Sequence, residues 1–175
     1  ALSPVSAEML AEPPPEDWPT WRRSHRGLGY SPLAEINTSN VAQLRIAWAQ
    51  PLPAGANMHE PLVHAGVLYT YGFGDEILAL DAKTGSLLWR YRRHLPANTA
   101  LTSKKTMALW GNRIYAATSD LHLIALDAKS GRPIWDKPIT DKAGFRNPGG
   151  PLVADGVVMQ GLTTQEPGGG LIVAL

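Results

Sequence analysis

Residues 79–89, ALDAKTGSLLW, return 46 residues later as ALDAKSGRPIW at residues 125–135. Self-similarity at a period of about 40–50 residues is typical of stacked supersecondary units, and four-stranded β-propeller blades are the β-rich member of that class. The repetition therefore predicts a propeller in which each blade carries one copy of the motif.

The two repeats agree beyond this shared core. Residues 60–81 and 107–127 each contain an apolar run, a turn with glycine, an aromatic-bearing run, a polar turn and a final Ala-Leu-Asp. A third copy begins at residues 150–175 and stops before its own D-x-x-T-G turn. A propeller needs at least four blades to close, so we expect this chain to be one segment of a longer polypeptide.

Each part of the motif has a physical role. The aspartate of D-A-K-T-G accepts hydrogen bonds from backbone N–H groups of the turn, and Gly85 or Gly131 permits a positive φ where the chain reverses. Trp89 and Trp135 follow four residues later. An aromatic ring of this size buries about 150–250 Å². We expect both tryptophans to occupy equivalent positions between neighbouring sheets.

Composition favours a globular, mostly β chain and excludes several classes of function. Hydrophobic residues make up 44% of the sequence and charged residues 18%, with 17 Gly and 15 Pro, and there is no long apolar stripe of helical period. The net charge of +1 and the scattered basic residues argue against a nucleic-acid partner. No apolar run reaches the length of a membrane span. The absence of cysteine excludes disulfides, thiolate metal sites and a cysteine nucleophile from this segment.

Two further elements are predicted before the repeats. Residues 1–16 end in EPPPED and are expected to form an extended, proline-rich arm with little packing of its own. Residues 17–175 are assigned to the propeller. Residues 44–49, LRIAWA, are interpreted as a strand that pairs with the last blade and closes the ring.

Several stretches together look like the N-terminal part of the pyrroloquinoline quinone (PQQ) dependent alcohol dehydrogenases. They are GLGYSPLAEINTSNVAQLRIAW, the two A-L-D-A-K-[TS]-G-x-x-x-W repeats, and GGPLVADGVVMQGLTTQE. The resemblance covers roughly residues 17–175. It implies an all-β, eight-bladed propeller locked by tryptophan docking motifs, with this chain supplying about the first three blades.

The resemblance also implies an activity. A quinoprotein of this family oxidises an alcohol by two-electron transfer to PQQ, which is bound with Ca²⁺ or a lanthanide, and it passes electrons to an acceptor such as a cytochrome c in the periplasm. The remainder of the same propeller would be the chain's structural partner. The alternative is a non-enzymatic PQQ-like propeller that serves as a protein-binding scaffold.

Candidate site residues follow from the resemblance position by position. Glu60 lies before the first blade's P-L-V run, where the family has a glutamate that hydrogen-bonds PQQ. Lys105 matches an arginine that reaches the quinone oxygens, with Lys104 as the alternative register. Thr163, Thr164, Gln165 and Glu166 match the family's S-G-A-E, in which the glutamate ligates the metal. The catalytic aspartate and a second metal ligand, an asparagine, are expected in later blades, outside this chain.

The sequence departs from the family at this site. The matching stretch has Thr99 and Ala100 where the family often has adjacent cysteines, and Lys105 presents a point charge instead of the planar guanidinium fork. Pro148, with Asn147 beside it, replaces an expected threonine. These changes predict an altered cofactor pocket.

Overall fold

The structure is a computed structural model that describes residues 2–165 and 169–175. Three antiparallel sheets follow one another along the chain. We call them blades 1, 2 and 3. The all-β fold predicted from the repeats is therefore confirmed, with one repeat in each blade.

Blade 1 is a four-stranded sheet whose strands pair in sequence order. Its strands are β1 (Leu62–His64), β2 (Val67–Gly72), β3 (Glu76–Asp81) and β4 (Leu87–Arg92). Ala65 and Gly66 connect β1 to β2 with φ values of 48° and 76°. Two positive φ values suit the tight hairpin turn whose twist matches that of the flanking strands.

Blade 2 repeats this plan. Its strands are β5 (Ala108–Trp110), β6 (Arg113–Ala117), β7 (His122–Asp127) and β8 (Pro133–Pro138). The outer strand β8 begins and ends with proline, which an edge strand tolerates because one side of it makes no ladder bonds.

Blade 3 contains three strands in the order β11-β10-β9. They are β9 (Leu152–Ala154), β10 (Val157–Leu162) and β11 (Leu171–Ala174). This matches the incomplete third repeat of the sequence.

The core lies between the faces of successive blades. One cluster joins Leu62, Tyr69 and Ile77 of blade 1 to apolar residues of blade 2 such as Leu109 and Ile114. A second cluster joins Tyr115, Leu123 and Ala125 of blade 2 to Val153 and Val158 of blade 3. The blades are thus held together face to face by buried apolar side chains.

The tryptophan motif locks one blade to the next. The indole Nε1 of Trp89 in blade 1 donates to the carbonyl oxygen of Ala128 in blade 2 at 3.1 Å. Gly85 and Gly131 have φ values of 72° and 69°, as predicted. Asp81 accepts from the backbone N–H of Thr84 at 2.8 Å, which confirms the role assigned to the aspartate.

Trp89 and Trp135 occupy equivalent positions, as predicted. Trp89 pairs with Ala79, and Trp135 with Ala125. Their rings lie 6.1 Å and 5.7 Å from those of Tyr69 and Tyr115, the partners of the same two alanines on the inner side. Each small alanine lets two aromatic rings meet over the middle of the sheet, and Trp135 packs against the cluster shared by blades 2 and 3.

The arm at residues 1–16 is not simply extended, which corrects the sequence-based expectation. It contains a short helix α1 (Ala7–Ala11), capped by Ser6, and it buries Val5 and Leu10. Val5 also forms a β-bridge with Gly111 of blade 2. The proline run follows the helix and ends it, so the apolar residues before the prolines decide how the arm packs.

The strand predicted at residues 44–49 is not formed in the structure; a 3₁₀ helix, Val41–Gln43, precedes this segment. Its proposed partner is the last blade, which is not in this sequence, and a strand requires a hydrogen-bonded neighbour. Trp48 is nevertheless placed like a blade tryptophan, because its Nε1 donates to the carbonyl of Ala82 at 3.1 Å.

Candidate cofactor cleft

A cleft of about 610 Å³ opens where the segments leading into the blades meet the end of β10. Three of its walls come from the segments that precede β1, β5 and β9, and the fourth from residues 163–165. It is lined by Met58, Leu101, Thr102, Ser103, Lys105, Gly144, Arg146, Pro148, Thr163, Thr164 and Gln165.

Backbone hydrogen bonds hold these segments in register. The N–H of Glu60 donates to the carbonyl of Lys105 at 3.0 Å, and the N–H of Lys105 donates to that of Pro148 at 3.2 Å. Arg146 and Thr163 exchange two backbone bonds of 2.8 Å. The cleft wall is therefore built from the segments that precede β1, β5 and β9, which backbone hydrogen bonds join to one another.

Close packing at blade 3 requires a glycine in this wall. A Cβ on Gly150 would collide with the backbone carbonyl group of Thr106 in blade 2. The G-G-P stretch of the third repeat thus permits the approach of the two segments that carry Lys105 and Pro148.

The structure brings together four of the six residues predicted for the site. Lys105, Thr163, Thr164 and Gln165 all line the cleft. Glu60 is exposed and is not among the residues that line the cleft, whereas Met58, two positions earlier, is part of the wall. Glu166 lies outside the described residues. Cofactor binding by these residues stays a prediction.

Lys104 and Lys105, the two alternatives for the cationic position, differ in burial. Lys105 is exposed in the cleft, whereas Lys104 is buried with 4% exposure. The Nζ of Lys104 donates to Oδ1 of Asn147 at 2.7 Å and to Oγ1 of Thr102. Burial lowers the pKa of Lys104 to about 8, against the opposing effect of Asp75.

The described lining is positively charged. It contains Lys105 and Arg146, neither of which forms an ion pair with a described residue, and no Asp or Glu. Four hydroxyl residues (Thr102, Ser103, Thr163 and Thr164) complete the polar surface. Such a wall can bind an anion with several oxygen acceptors.

Sequence reasoning missed Arg146 and Met58. Arg146 directly precedes Asn147 and Pro148, where the sequence departs from the family, and that departure was the signal that could have pointed to it. An arginine at this position could equally be a solvated surface residue, so the sequence alone did not identify it. Within residues 2–165 and 169–175, no group of three or more His, Asp or Glu side chains is placed to hold a metal ion.

The chain matches a known family and several of its members. Residues 18–137 match the family of the PQQ glucose/ethanol/alcohol dehydrogenase β-propeller domain. The quinohemoprotein alcohol dehydrogenase ADH IIB of Pseudomonas putida is 38% identical over 83% of this chain and 22% of its own length. The dehydrogenase subunit of an alcohol dehydrogenase (quinone) of Gluconobacter oxydans (strain 621H) is 36% identical over 84% of this chain and 21% of its own length.

Solved structures have the same fold. The quinohemoprotein alcohol dehydrogenase from Comamonas testosteroni superimposes with a TM-score of 0.83 at 28% identity, over 97% of this chain and 27% of that one. A europium-containing methanol dehydrogenase gives 0.84 at 28% identity, over 96% and 31%.

The chain spans about a fifth of the length of the curated relatives it matches. In the described part of the chain, no helix has the length and apolar character needed to cross a membrane. The match over residues 18–137, the repeated docking motif and the blade geometry lead to one conclusion. The chain belongs to the PQQ-dependent glucose/ethanol/alcohol dehydrogenase family, and its three sheets are blades of that family's β-propeller domain.

Proposed function

We propose that this chain is the N-terminal part of a quinoprotein dehydrogenase that oxidises an alcohol, and that its cleft binds PQQ. The observation that carries the proposal is the cationic, hydroxyl-rich cleft formed by Lys105, Arg146 and Thr163 at the junction of three blades. Its volume of about 610 Å³ lies in the range of ligand pockets.

The residues present fit this cofactor. PQQ carries three carboxylates, and a wall with two cations and no described carboxylate offers such an anion favourable charge without repulsion. When bound, PQQ supplies the two-electron oxidation of the alcohol to a carbonyl compound. Lys105 would donate to an oxygen of the cofactor, and the hydroxyl of Thr163 would hold another.

Glu166 is proposed as a ligand of the divalent or lanthanide ion. It follows directly after Gln165, which lines the cleft, and it matches the glutamate of the family's S-G-A-E; both support the assignment. Carboxylate oxygens suit Ca²⁺ and other hard cations. The remaining ligands and the catalytic base are assigned to later blades.

The partners and location belong to the same proposal. The substrate would be a small alcohol, the electron acceptor a cytochrome c or a similar carrier, and the compartment the periplasm. The names quinohemoprotein alcohol dehydrogenase and alcohol dehydrogenase (quinone) among the relatives support electron transfer from an alcohol to a redox partner.

The experiment uses the complete polypeptide that carries this segment. PQQ is added with Ca²⁺ or La³⁺, and the quinone absorption band and PQQ-dependent dye reduction are measured. Glu166→Gln should need more metal to reach half-maximal activity, while Glu35→Gln, an exposed glutamate outside the cleft, should behave as wild type. If no PQQ binds under any metal condition, the enzyme proposal fails and the scaffold alternative replaces it.

A further inference from the structure

Lys104 is a buried cation that does not itself line the cleft. Its side chain is 2% exposed. It receives contacts from three blades: Thr102 in its own segment, Asn147 in the segment before β9, and Asp75 in the turn between β2 and β3, whose carboxylate lies 4.0 Å away.

These partners are themselves fixed. Asn147 is fully buried, and its Nδ2 donates to the carbonyl of Thr118 at 2.8 Å. Asp75 accepts from the backbone N–H and the hydroxyl of Ser119. The hydroxyl of Ser119 in turn accepts from the N–H of Thr102 at 3.1 Å. Lys104 therefore closes a network in which each polar group has a partner, an arrangement that rigidifies its surroundings.

The network lies immediately behind the cleft wall. Thr102 lines the cleft, Lys104 precedes Lys105, and Asn147 precedes Pro148. Lys105 and Pro148 are also joined directly by the 3.2 Å backbone bond. The side-chain bond between Lys104 and Asn147 therefore lies next to the backbone bond that joins Lys105 to Pro148.

We propose that Lys104 is a positioning residue: by joining Thr102, Asn147 and Asp75 it holds Lys105 and Pro148 in the geometry that binds the anionic cofactor. This inference rests on the proposed function. Lys104 is buried behind the wall and does not line the cleft, so it acts through its neighbour Lys105.

The charge of Lys104 gives the role a pH signature. Near pH 8 the ammonium loses its proton, because burial lowers its pKa to about 8 while Asp75 and Asp120 oppose the shift. Loss of the proton weakens the charge-assisted hydrogen bonds from Nζ to Thr102 and Asn147 and removes the attraction to Asp75, so the network holds Lys105 less firmly.

The titration of Lys104 can be distinguished from that of the other charged groups around it. Asp120 is paired with Arg93 at 2.7 Å, and Lys105 follows on the same segment. His59, which lines the same small cavity, stays neutral near pH 8 because burial lowers its pKa to about 4. Burial raises the pKa of Asp75, so Asp75→Asn is needed to separate its titration from that of Lys104.

The test is a double-mutant cycle in the complete polypeptide, read by quenching of tryptophan fluorescence on PQQ addition. At pH 7, Lys104→Met should weaken PQQ binding about tenfold, within the range of coupling between contacting residues. In the Lys105→Met background the same change should cost less than about twofold, because the residue it positions is gone. Lys129→Met, an exposed lysine outside the cleft, should leave binding unchanged.

A second variant guards against loss of folding. Lys104→Gln keeps a hydrogen-bond donor for the two neutral partners but carries no charge. Wild-type affinity should fall as pH rises through about 8. In Asp75→Asn the fall should come at a lower pH, because Asp75 raises the pKa of Lys104, whereas Lys104→Gln should show no such step. Equal losses in both backgrounds, or the same pH profile in Lys104→Gln and wild type, would overturn the inference. Failure of the wild-type protein to bind PQQ would instead refute the proposed function on which it depends.

Discussion

The indole ring of Trp89 lies directly against Gly131 of the following blade. A Cβ placed on Gly131 would fall 2.5 Å from ring atom Cε3, which is closer than real Cβ contacts allow. Trp48 and Gly85 have the same relationship, with 2.6 Å to ring atom Cδ2. The motif therefore requires glycine for two reasons: the left-handed turn and the space for the tryptophan of the preceding repeat.

Replacing Gly131 with alanine should destabilise the propeller more than the backbone angle alone explains. The positive φ costs about 1–2 kcal/mol for any L-residue, and overpacking against Trp89 should add about 1–3 kcal/mol. Gly66→Ala is the matched control, since Gly66 has φ 76° and no atom within 4 Å of an added Cβ. Denaturant unfolding of the complete polypeptide measures both variants, and equal losses would show that the ring contact contributes nothing.

The repeat made this lock predictable, whereas the packing of the N-terminal arm was not. A motif that recurs gives two independent views of one structure, so Gly131 and Trp89 could be placed from sequence. The burial of Val5 depends on Gly111, more than a hundred residues later, and no local pattern reports such a contact. The proline run at residues 13–15 favours an extended conformation of those residues only. It does not predict the helix that precedes them.

His64 should hold the N-terminal segment onto blade 1. Its Nδ1 lies 2.7 Å from Oδ2 of Asp17, its Nε2 lies 2.8 Å from the carbonyl oxygen of Ser3, and Asp17 also accepts from the N–H of Ala65. Both the His64 and Asp17 side chains are 4% exposed. His64→Leu should cost about 3–5 kcal/mol, the scale for leaving one partner of a buried pair alone.

The control for His64→Leu is His94→Leu, because His94 is exposed. Denaturant unfolding gives the free-energy difference, and limited proteolysis should cut residues before Asp17 faster in the His64 variant only. Equal stability of the two variants would show that the pair does not secure this segment.

Arg93 should make the junction of blades 1 and 2 acid-sensitive. Its guanidinium donates to Asp120 at 2.7 Å and to Asp136 at 2.5 Å, and its side chain is 8% exposed. Burial raises the pKa of Asp120, but hydrogen bonds from Arg93 outweigh it and hold that pKa below its ordinary value. The pKa of Asp136 is also lowered, because its hydrogen bonds outweigh the effect of burial.

The sign of the pH effect follows from these directions. A carboxylate whose pKa is lower in the folded state stabilises the fold above its ordinary pKa, and that stability is lost as pH falls through the lower, folded value. Wild-type stability should therefore drop below about pH 4. Arg93→Met should lose about 3 kcal/mol at pH 7 and show a shallower decline in acid, while Arg132→Met, at an exposed turn, should follow wild type. Parallel acid profiles for Arg93→Met and wild type would contradict this.

Residues of the cleft wall could be predicted where the chain keeps the family's spacing. Thr163, Thr164 and Gln165 follow a strand without a gap, and all three line the cleft. Glu60 was placed by its proximity to the P-L-V run, and in the structure Met58, two residues earlier, lines the cleft. The burial of Lys104 depends on Asp75 and Asn147 of other blades, which spacing within one segment does not reveal.

Arg146 should bind PQQ through charge. It lines the cleft and has no ion-pair partner among the described residues, so a carboxylate of the cofactor would be its first. Arg146→Gln should weaken PQQ binding about tenfold, the scale of a charge-assisted hydrogen bond. The trimethyl ester of PQQ, which has no carboxylate charge, should bind both proteins with nearly equal affinity.

The control for net charge is Arg113→Gln, because Arg113 is an exposed arginine at the start of β6. Titrations at low and high salt separate the outcomes, because the affinity ratio of wild type to Arg146→Gln should shrink as salt screens the pair. Equal weakening for PQQ and its ester would mean that Arg146 shapes the wall by packing and does not bind the anion.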